Sequence, residues 1–188
     1  MYGMVNRAIE DLVTEQLGPE AWDRVCALAG VQTPVFVSNE SYSDELTFRL
    51  VGAAAGELDV PVDEVLRRFG VHWILRTAAE GYGELMDAGG KTLGEFLDNL
   101  PTFHARVVLA FPDLKPPEFT VTERGENRLR LRYESHREGL QPFVVGLLDG
   151  LGRRFGVDVS TEHVVRRGDG ASHDEFVVAW RDRKAGSS

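Results

Sequence analysis

Two groups of residues in this 188-residue sequence have types and spacings that could do chemistry. The first is the alternating run Leu129, Leu131, Tyr133, Ser135 and Arg137. On a strand, side chains two apart share a face, so these five form one surface. That surface passes from aliphatic through phenol and hydroxyl to guanidinium. It suits a ligand with a flat apolar body and an anionic edge, because arginine offers a fork of donors to a carboxylate and the two hydroxyls add to it. A strand that leaves the core for solvent also turns polar, and from the strand alone that reading stays open. The second group centres on His104, which lies among Leu97, Leu100, Val107 and Val108 at helical spacing. An imidazole in such surroundings needs a partner. A metal bound through a ring nitrogen is one; a backbone carbonyl is the commoner one in protein cores.

Other chemistry finds little support. His72, His136, His163 and His173 show no ligand spacing, and Glu162-His163 and His173-Asp174 read as solvated turn residues near a hairpin. A zinc hydrolase needs about three convergent ligands, and the sequence offers no compact set. There is no Gly-x-Ser-x-Gly elbow, phosphate loop or dinucleotide fingerprint. Cys26, the single cysteine, sits among apolar neighbours and reads as a small core residue; alone it excludes a disulfide framework. No catalytic residue is assigned, and the chain is expected not to be an enzyme. With 21 basic against 30 acidic residues and a net charge of −9, it lacks the basic face of a nucleic-acid binder. No run approaches the roughly 18 apolar residues of a membrane span. Residues 1–7 do not read as a leader, so a cytoplasmic protein is expected.

The elements that must position these groups divide into halves. Val5, Ile9, Leu12, Val13 and Leu17 recur at helical spacing until Gly18-Pro19 stops them, and Pro19 suits the first turn of a second helix ending at Gly30. Ser43-Asp44-Glu45 opens a third, broken near Gly56. Val62, Val65, Leu66 and Phe69 mark a short helix ended by Gly70, and residues 71–80 continue as helix until Gly81 and Gly83 interrupt. Helical pattern returns over residues 92–100 and 101–111, closed by Pro112. Lys115-Pro116-Pro117-Glu118 cannot be helix interior. Residues 119–123 and 128–135 then alternate as strands, residues 140–155 form a helix with a wide apolar face, and residues 157–159 and 176–180 read as two further strands. The expected fold is α+β: a helical lobe of about residues 1–60, and a lobe of about 61–183 holding an antiparallel four-stranded sheet with packed helices. Together they make one domain over 1–183, with a disordered tail over 184–188.

Several short motifs occur in an order that resembles the haem-nitric oxide/oxygen binding (H-NOX) domains, the sensor modules of soluble guanylate cyclase and bacterial gas sensors. They are Met1-Tyr2-Gly3, Phe69-Gly70-x-x-Trp73, Glu80-Gly81-Tyr82, Glu95-Phe96-Leu97-x-Asn99-Leu100, His104-Ala105-Arg106, Phe111-Pro112-x-Leu114-x-Pro116-Pro117-x-Phe119, Tyr133-x-Ser135-x-Arg137 and Glu138-Gly139-Leu140-Gln141-Pro142-Phe143. The resemblance implies haem b, ferrous iron protoporphyrin IX, between the lobes. It implies His104 as the proximal iron ligand, Pro117 as the residue that presses on the porphyrin, and Tyr133, Ser135 and Arg137 as the grip on the propionates. Val5, Ile9, Trp73, Phe143 and Val144 would form the distal wall. Oxygen-binding members carry a distal tyrosine; the matching position here is Phe143, and no neighbour is tyrosine. The expectation is a sensor for nitric oxide and carbon monoxide, not oxygen. It is expected to signal to a separate partner, a histidine kinase or a cyclic-dinucleotide enzyme, in a bacterium with Ala-, Gly- and Arg-rich usage. A haem-free or other-ligand interaction module of the same fold is the alternative.

Overall fold

The computed structural model describes residues 1–32, 35–111 and 114–183; Pro112 and the tail of residues 184–188 lie outside them. The chain runs α1 (Gly3–Leu17), α2 (Pro19–Leu28), α3 (Asp44–Leu58), α4 (Val62–His72), a π-helical turn (Trp73–Thr77), α5 (Ala78–Asp87), α6 (Leu93–Asp98) and α7 (Leu100–Ala110). It continues with β1 (Glu118–Arg124), β2 (Arg128–Glu134), α8 (Gln141–Arg154), β3 (Val157–Val165) and β4 (Asp174–Asp182). The four strands form an antiparallel sheet in the order β1-β2-β4-β3. The fold is α+β.

Local chemistry sets several boundaries. Ser43 caps α3 by accepting from the Leu46 N–H at 3.2 Å, which fixes Asp44 in the first turn. Thr92 caps α6 in the same way, and Glu95 reaches back to the Lys91 N–H at 2.8 Å. Pro19, Pro101 and Pro142 each stand in a first helical turn, where their missing N–H costs nothing.

Gly70 behaves differently from expectation. It does not end its helix; α4 runs on to His72 and, through the π turn, into α5. A Cβ on Gly70 would stand 2.4 Å from the Phe143 carbonyl oxygen, and one on Gly146 would stand 2.1 Å from that of Arg67. Both glycines are bare because α4 and α8 cross almost backbone to backbone. The helix then bends at Tyr82, whose φ of −139° and ψ of 19° break helical geometry between Gly81 and Gly83.

Two apolar clusters result. One joins α1, α2, α3 and α4 around residues such as Ile9, Val25, Leu50 and Val65, all fully buried. The other joins α6, α8 and the inner sheet face, with Leu129, Leu131 and Tyr133 of β2 beside Phe176 and Val178 of β4. Trp73 packs against both.

The candidate haem site

Between the clusters lies a cavity of about 290 Å³. One wall comes from α1, the α4 helix with its π turn, and α8. Val5, Trp73, Phe143 and Val144 all line it, and Phe69 packs against Phe143 at 5.0 Å and Trp73 at 6.0 Å between ring centroids. Ile9 is not among the lining residues. It is fully buried in the first cluster, one turn deeper than Val5, so its predicted place on the distal wall is corrected to the core behind it. The remaining wall comes from α6, α7, β1 and β2, with His104 and Pro117 in it and Tyr133, Ser135 and Arg137 at one end.

His104 sits between the rings of Phe103 at 5.9 Å and Phe119 at 5.8 Å. Burial holds its pKa below the ordinary 6.5, opposed by a hydrogen bond to the Pro117 backbone. Proline has no N–H, so that partner is the carbonyl and the imidazole is the donor. A neutral ring that donates from one nitrogen presents the other as an acceptor or metal ligand. The carbonyl reading and the metal reading of His104 are therefore compatible, one at each nitrogen.

The polar end is a connected set. Burial pushes the Tyr133 hydroxyl up, against a hydrogen bond with the Ser135 side chain that favours its ionised form. The Arg137 backbone N–H donates to Ser135 Oγ at 3.1 Å. The Arg137 guanidinium, 18% exposed, donates through Nε to Asp44 Oδ2 at 2.7 Å and through Nη2 to Asp44 Oδ1 at 3.3 Å. Asp44 also receives the N-terminal ammonium at 2.9 Å. Burial alone would raise the Asp44 carboxyl, yet hydrogen bonds and charge from Arg137 and the N-terminus hold it below its usual range. Sequence reading missed Asp44 as part of this site because it took Ser43-Asp44-Glu45 only as a helix start; its partner lies 93 residues away.

Tyr82 was also missed. It lines the cavity, and its hydroxyl contacts Met4 Sδ at 3.7 Å, a weak acceptor. Cys26 behaves as read from sequence: it is buried, and burial followed by the nearby charges of Glu10 and Asp23 pushes its thiol up to about 11. Of the residues expected in solvated turns, His173 lies in a bend, and the others are corrected to strands. Glu162 and His163 belong to β3, and Asp174 opens β4 with only 3% of its surface exposed.

A neutral imidazole in one wall, apolar and aromatic surroundings, and a phenol, hydroxyl and guanidinium at one end form a donor set for a flat, metal-bearing macrocycle with carboxylates. No helix of the described residues is long and apolar enough to cross a membrane.

Comparison with known proteins follows the same line. A family model described as Haem-NO-binding matches residues 2–163. Soluble guanylate cyclase gcy-37 of Caenorhabditis elegans is 31% identical over 163 residues, which is 85% of this chain and 23% of the relative. Soluble guanylate cyclase gcy-31 of the same organism is 26% identical over 179 residues, 89% of this chain and 26% of the relative. The chain thus spans about a quarter of the length of these curated relatives. An H-NOX protein from S. oneidensis in its Fe(II) state superposes with a TM-score of 0.89 at 23% identity, covering 98% of each chain. The unliganded Fe(II) H-NOX protein from K. algicida superposes with a TM-score of 0.86 at 22% identity, covering 100% of each. These likenesses establish the fold, and the match over residues 2–163 establishes the lineage: the chain belongs to the Haem-NO-binding family of gas-sensing H-NOX domains.

Proposed function

We propose that this domain holds haem b through His104 and senses nitric oxide and carbon monoxide while failing to retain oxygen. What carries the reading is the convergence of His104, Pro117, Tyr133, Ser135 and Arg137 on one largely apolar cavity. When bound, ferrous haem supplies the open coordination position at which a diatomic gas binds. His104 would hold the iron through the nitrogen not engaged by Pro117. Tyr133, Ser135 and Arg137 would take the two propionates, with Arg137 exchanging part of its contact with Asp44. Pro117 would press on the macrocycle beside His104. Iron-bound oxygen is strongly polarised and gains from a hydrogen-bond donor, whereas nitric oxide and carbon monoxide need one much less. Phe143, in van der Waals reach of Phe69, offers none, and the position that holds a tyrosine in oxygen-binding members discriminates here by withholding that bond.

Output follows from α7. Its main contacts are with α6 and β1, so a haem held through His104 would be the chief further tie on this helix. Movement about residues 115–118 then shifts the helical lobe against the sheet, to the extent that the gas binds the two arrangements differently. The effector we expect is a separate histidine kinase or cyclic-dinucleotide enzyme, in a bacterial cytoplasm. The support for that is family resemblance.

The test is a visible spectrum of protein reconstituted with hemin and reduced. A Soret band that shifts with nitric oxide and carbon monoxide, and not durably in air, is expected. A lasting oxygen complex in air sinks the selectivity; no Soret band favours the haem-free interaction module. Replacement of His104 by Gly should abolish the ferrous spectrum, and free imidazole should restore it. A variant that keeps the parent spectrum removes His104 as the ligand.

A further inference from the structure

Asp174 is one of few buried charged or polar residues among those described, and it is not itself among the residues that line the cavity. Its carboxylate nevertheless gathers groups from several elements. His163 Nε2 of β3 lies 2.8 Å from Oδ1, the Arg167 backbone N–H donates to Oδ1 at 3.2 Å, and Gln141 Nε2 of α8 donates to Oδ2 at 3.0 Å. His163 is further fixed by stacking on Phe176 at 4.6 Å and by Arg166 Nη1 at 3.1 Å from Nδ1. The arrangement matters because of where two of these partners lead. The Arg167 guanidinium donates through Nη1 to the Ser135 carbonyl at 2.8 Å. Gln141 opens α8 immediately after the turn that Ser135 begins.

Residues 135–140 belong to no helix or strand. Beyond β2 the sheet ladder no longer holds them, and they contain both Ser135 and Arg137. They are secured at their start through Arg167 and at their end through Gln141, and both tethers return to one carboxylate. Tyr133, the last cavity-lining residue still in the ladder, is paired with Asp174 itself in the β2–β4 register.

We propose that Asp174 is a positioning residue for the carboxylate-binding turn. It holds the turn of residues 135–140 at both ends so that Ser135 and Arg137 meet the anionic edge of a ligand already in place. The proposal rests on the reading of those two residues as the propionate grip. A preorganised turn does not have to be ordered when the ligand arrives, which is how a residue outside the cavity can affect retention.

Two measurements on the full chain test it: amide hydrogen exchange of residues 135–140 in haem-free protein, and haem loss to excess apomyoglobin from the loaded protein. For Asp174→Ala, exchange at residues 135–140 should rise about tenfold while α1, α2 and α3 keep their protection, and haem should leave about tenfold faster, a factor equivalent to roughly 1.4 kcal/mol. Asp174→Asn keeps an oxygen for the Arg167 N–H but sets an amide nitrogen against the Gln141 donor, and should recover only part of both losses. Arg167→Ala, at a partly exposed position, cuts one tether with less risk to folding. Its effect should not add to that of Asp174→Ala, because both act through the same link. Unchanged exchange at residues 135–140 in both alanine variants overturns the proposal, as does a rise spread evenly over the chain. If the parent protein takes up no hemin, the haem reading falls, and the exchange measurement alone still decides whether Asp174 orders the turn.

Discussion

The two apolar clusters draw on the same residue types and end differently. In the cluster of α1 to α4, Ile9, Val13, Val25, Leu50 and Val65 are all completely enclosed, and its buried polar pair meets internally, with Thr47 Oγ1 donating to Asn6 Oδ1 at 2.7 Å. In the other, Leu97, Leu131, Leu148 and Leu151 are just as hidden from solvent yet turn toward the cavity. A close-packed core takes its stability from contact on every side. Side chains that border a void forgo part of that contact until something fills it. The five enclosed side chains of the first cluster are therefore at rest without a ligand, while the four leucines of the second, like Val51, Leu66 and Phe69 at the edge of the first, border space that a ligand would fill.

Loading offers the largest test of this contrast. If a ligand binds only the folded chain, stability rises with its concentration, by about 4 kcal/mol at a thousandfold excess over Kd. Titration with hemin should raise the melting temperature steadily, and protection against hydrogen exchange should grow mainly in α6, α7 and the sheet. Equal gains in α2 would mean that the clusters are not distinct.

Truncation sharpens the contrast. Leu50→Ala in the closed cluster should cost about 2 to 5 kcal/mol in denaturant unfolding. Leu148→Ala, on the cavity wall, should cost less in haem-free protein, with the gap narrowing once hemin is bound. A larger loss at Leu148 in haem-free protein would contradict the view that its surroundings are incompletely packed.

The crossing of α4 and α8 lies at the boundary, and Gly146→Ala attacks it. The added methyl meets the Arg67 backbone, which cannot swing aside, so a loss of about 1 to 3 kcal/mol is expected by thermal or chemical unfolding.

The smallest effect concerns pH. Burial depresses the pKa of His72 below 6.5; Glu15, whose Oε2 is 3.6 Å from Nδ1, opposes this with Asp11 and Glu80, while Arg76 adds to it. Below about pH 6.5 the unfolded chain takes up a proton that folded His72 resists, so stability is full above that value and declines on acidification. The slope from this residue cannot exceed about 1.4 kcal/mol per pH unit. His72→Gln should flatten the decline between pH 6.5 and 5, and an unchanged slope assigns it to other groups.

Much of this is legible in the sequence, for reasons that differ by residue. The two-residue period of Leu129, Leu131 and Tyr133 marks a strand with one covered face, and the structure buries all three. Helix starts at Ser43 and Thr92 follow from side chains that cap by local hydrogen bonds. Gly70 misled because a glycine that ends a helix and one that admits another helix look alike in a single chain; the difference resides in Gly146, 76 positions on. Ile9 and Val5 share a helical face, and spacing alone cannot say how far along that face the cavity extends. His163 and Asp174 resemble loop residues by polarity; Asp174 is buried because His163, the Arg167 N–H and Gln141 satisfy its carboxylate, and His163 is half-buried against Phe176. Asp44 and Arg137 meet across 93 positions of the chain, and no local pattern encodes such a meeting.

The π turn at Trp73–Thr77 carries a consequence for insertions and deletions. It accommodates one surplus residue in a rod that otherwise winds regularly from Val62 toward the kink at Tyr82. Excising the surplus residue would let the rod rewind as regular α-helix with the segments on either side close to their present relative rotation, whereas excising one from α4 itself would rotate everything downstream by about 100° and draw it back about 1.5 Å. In the second case Trp73, Ala78 and Tyr82 would all swing off the chamber, so the place of a deletion along this rod decides whether the chamber keeps its lining.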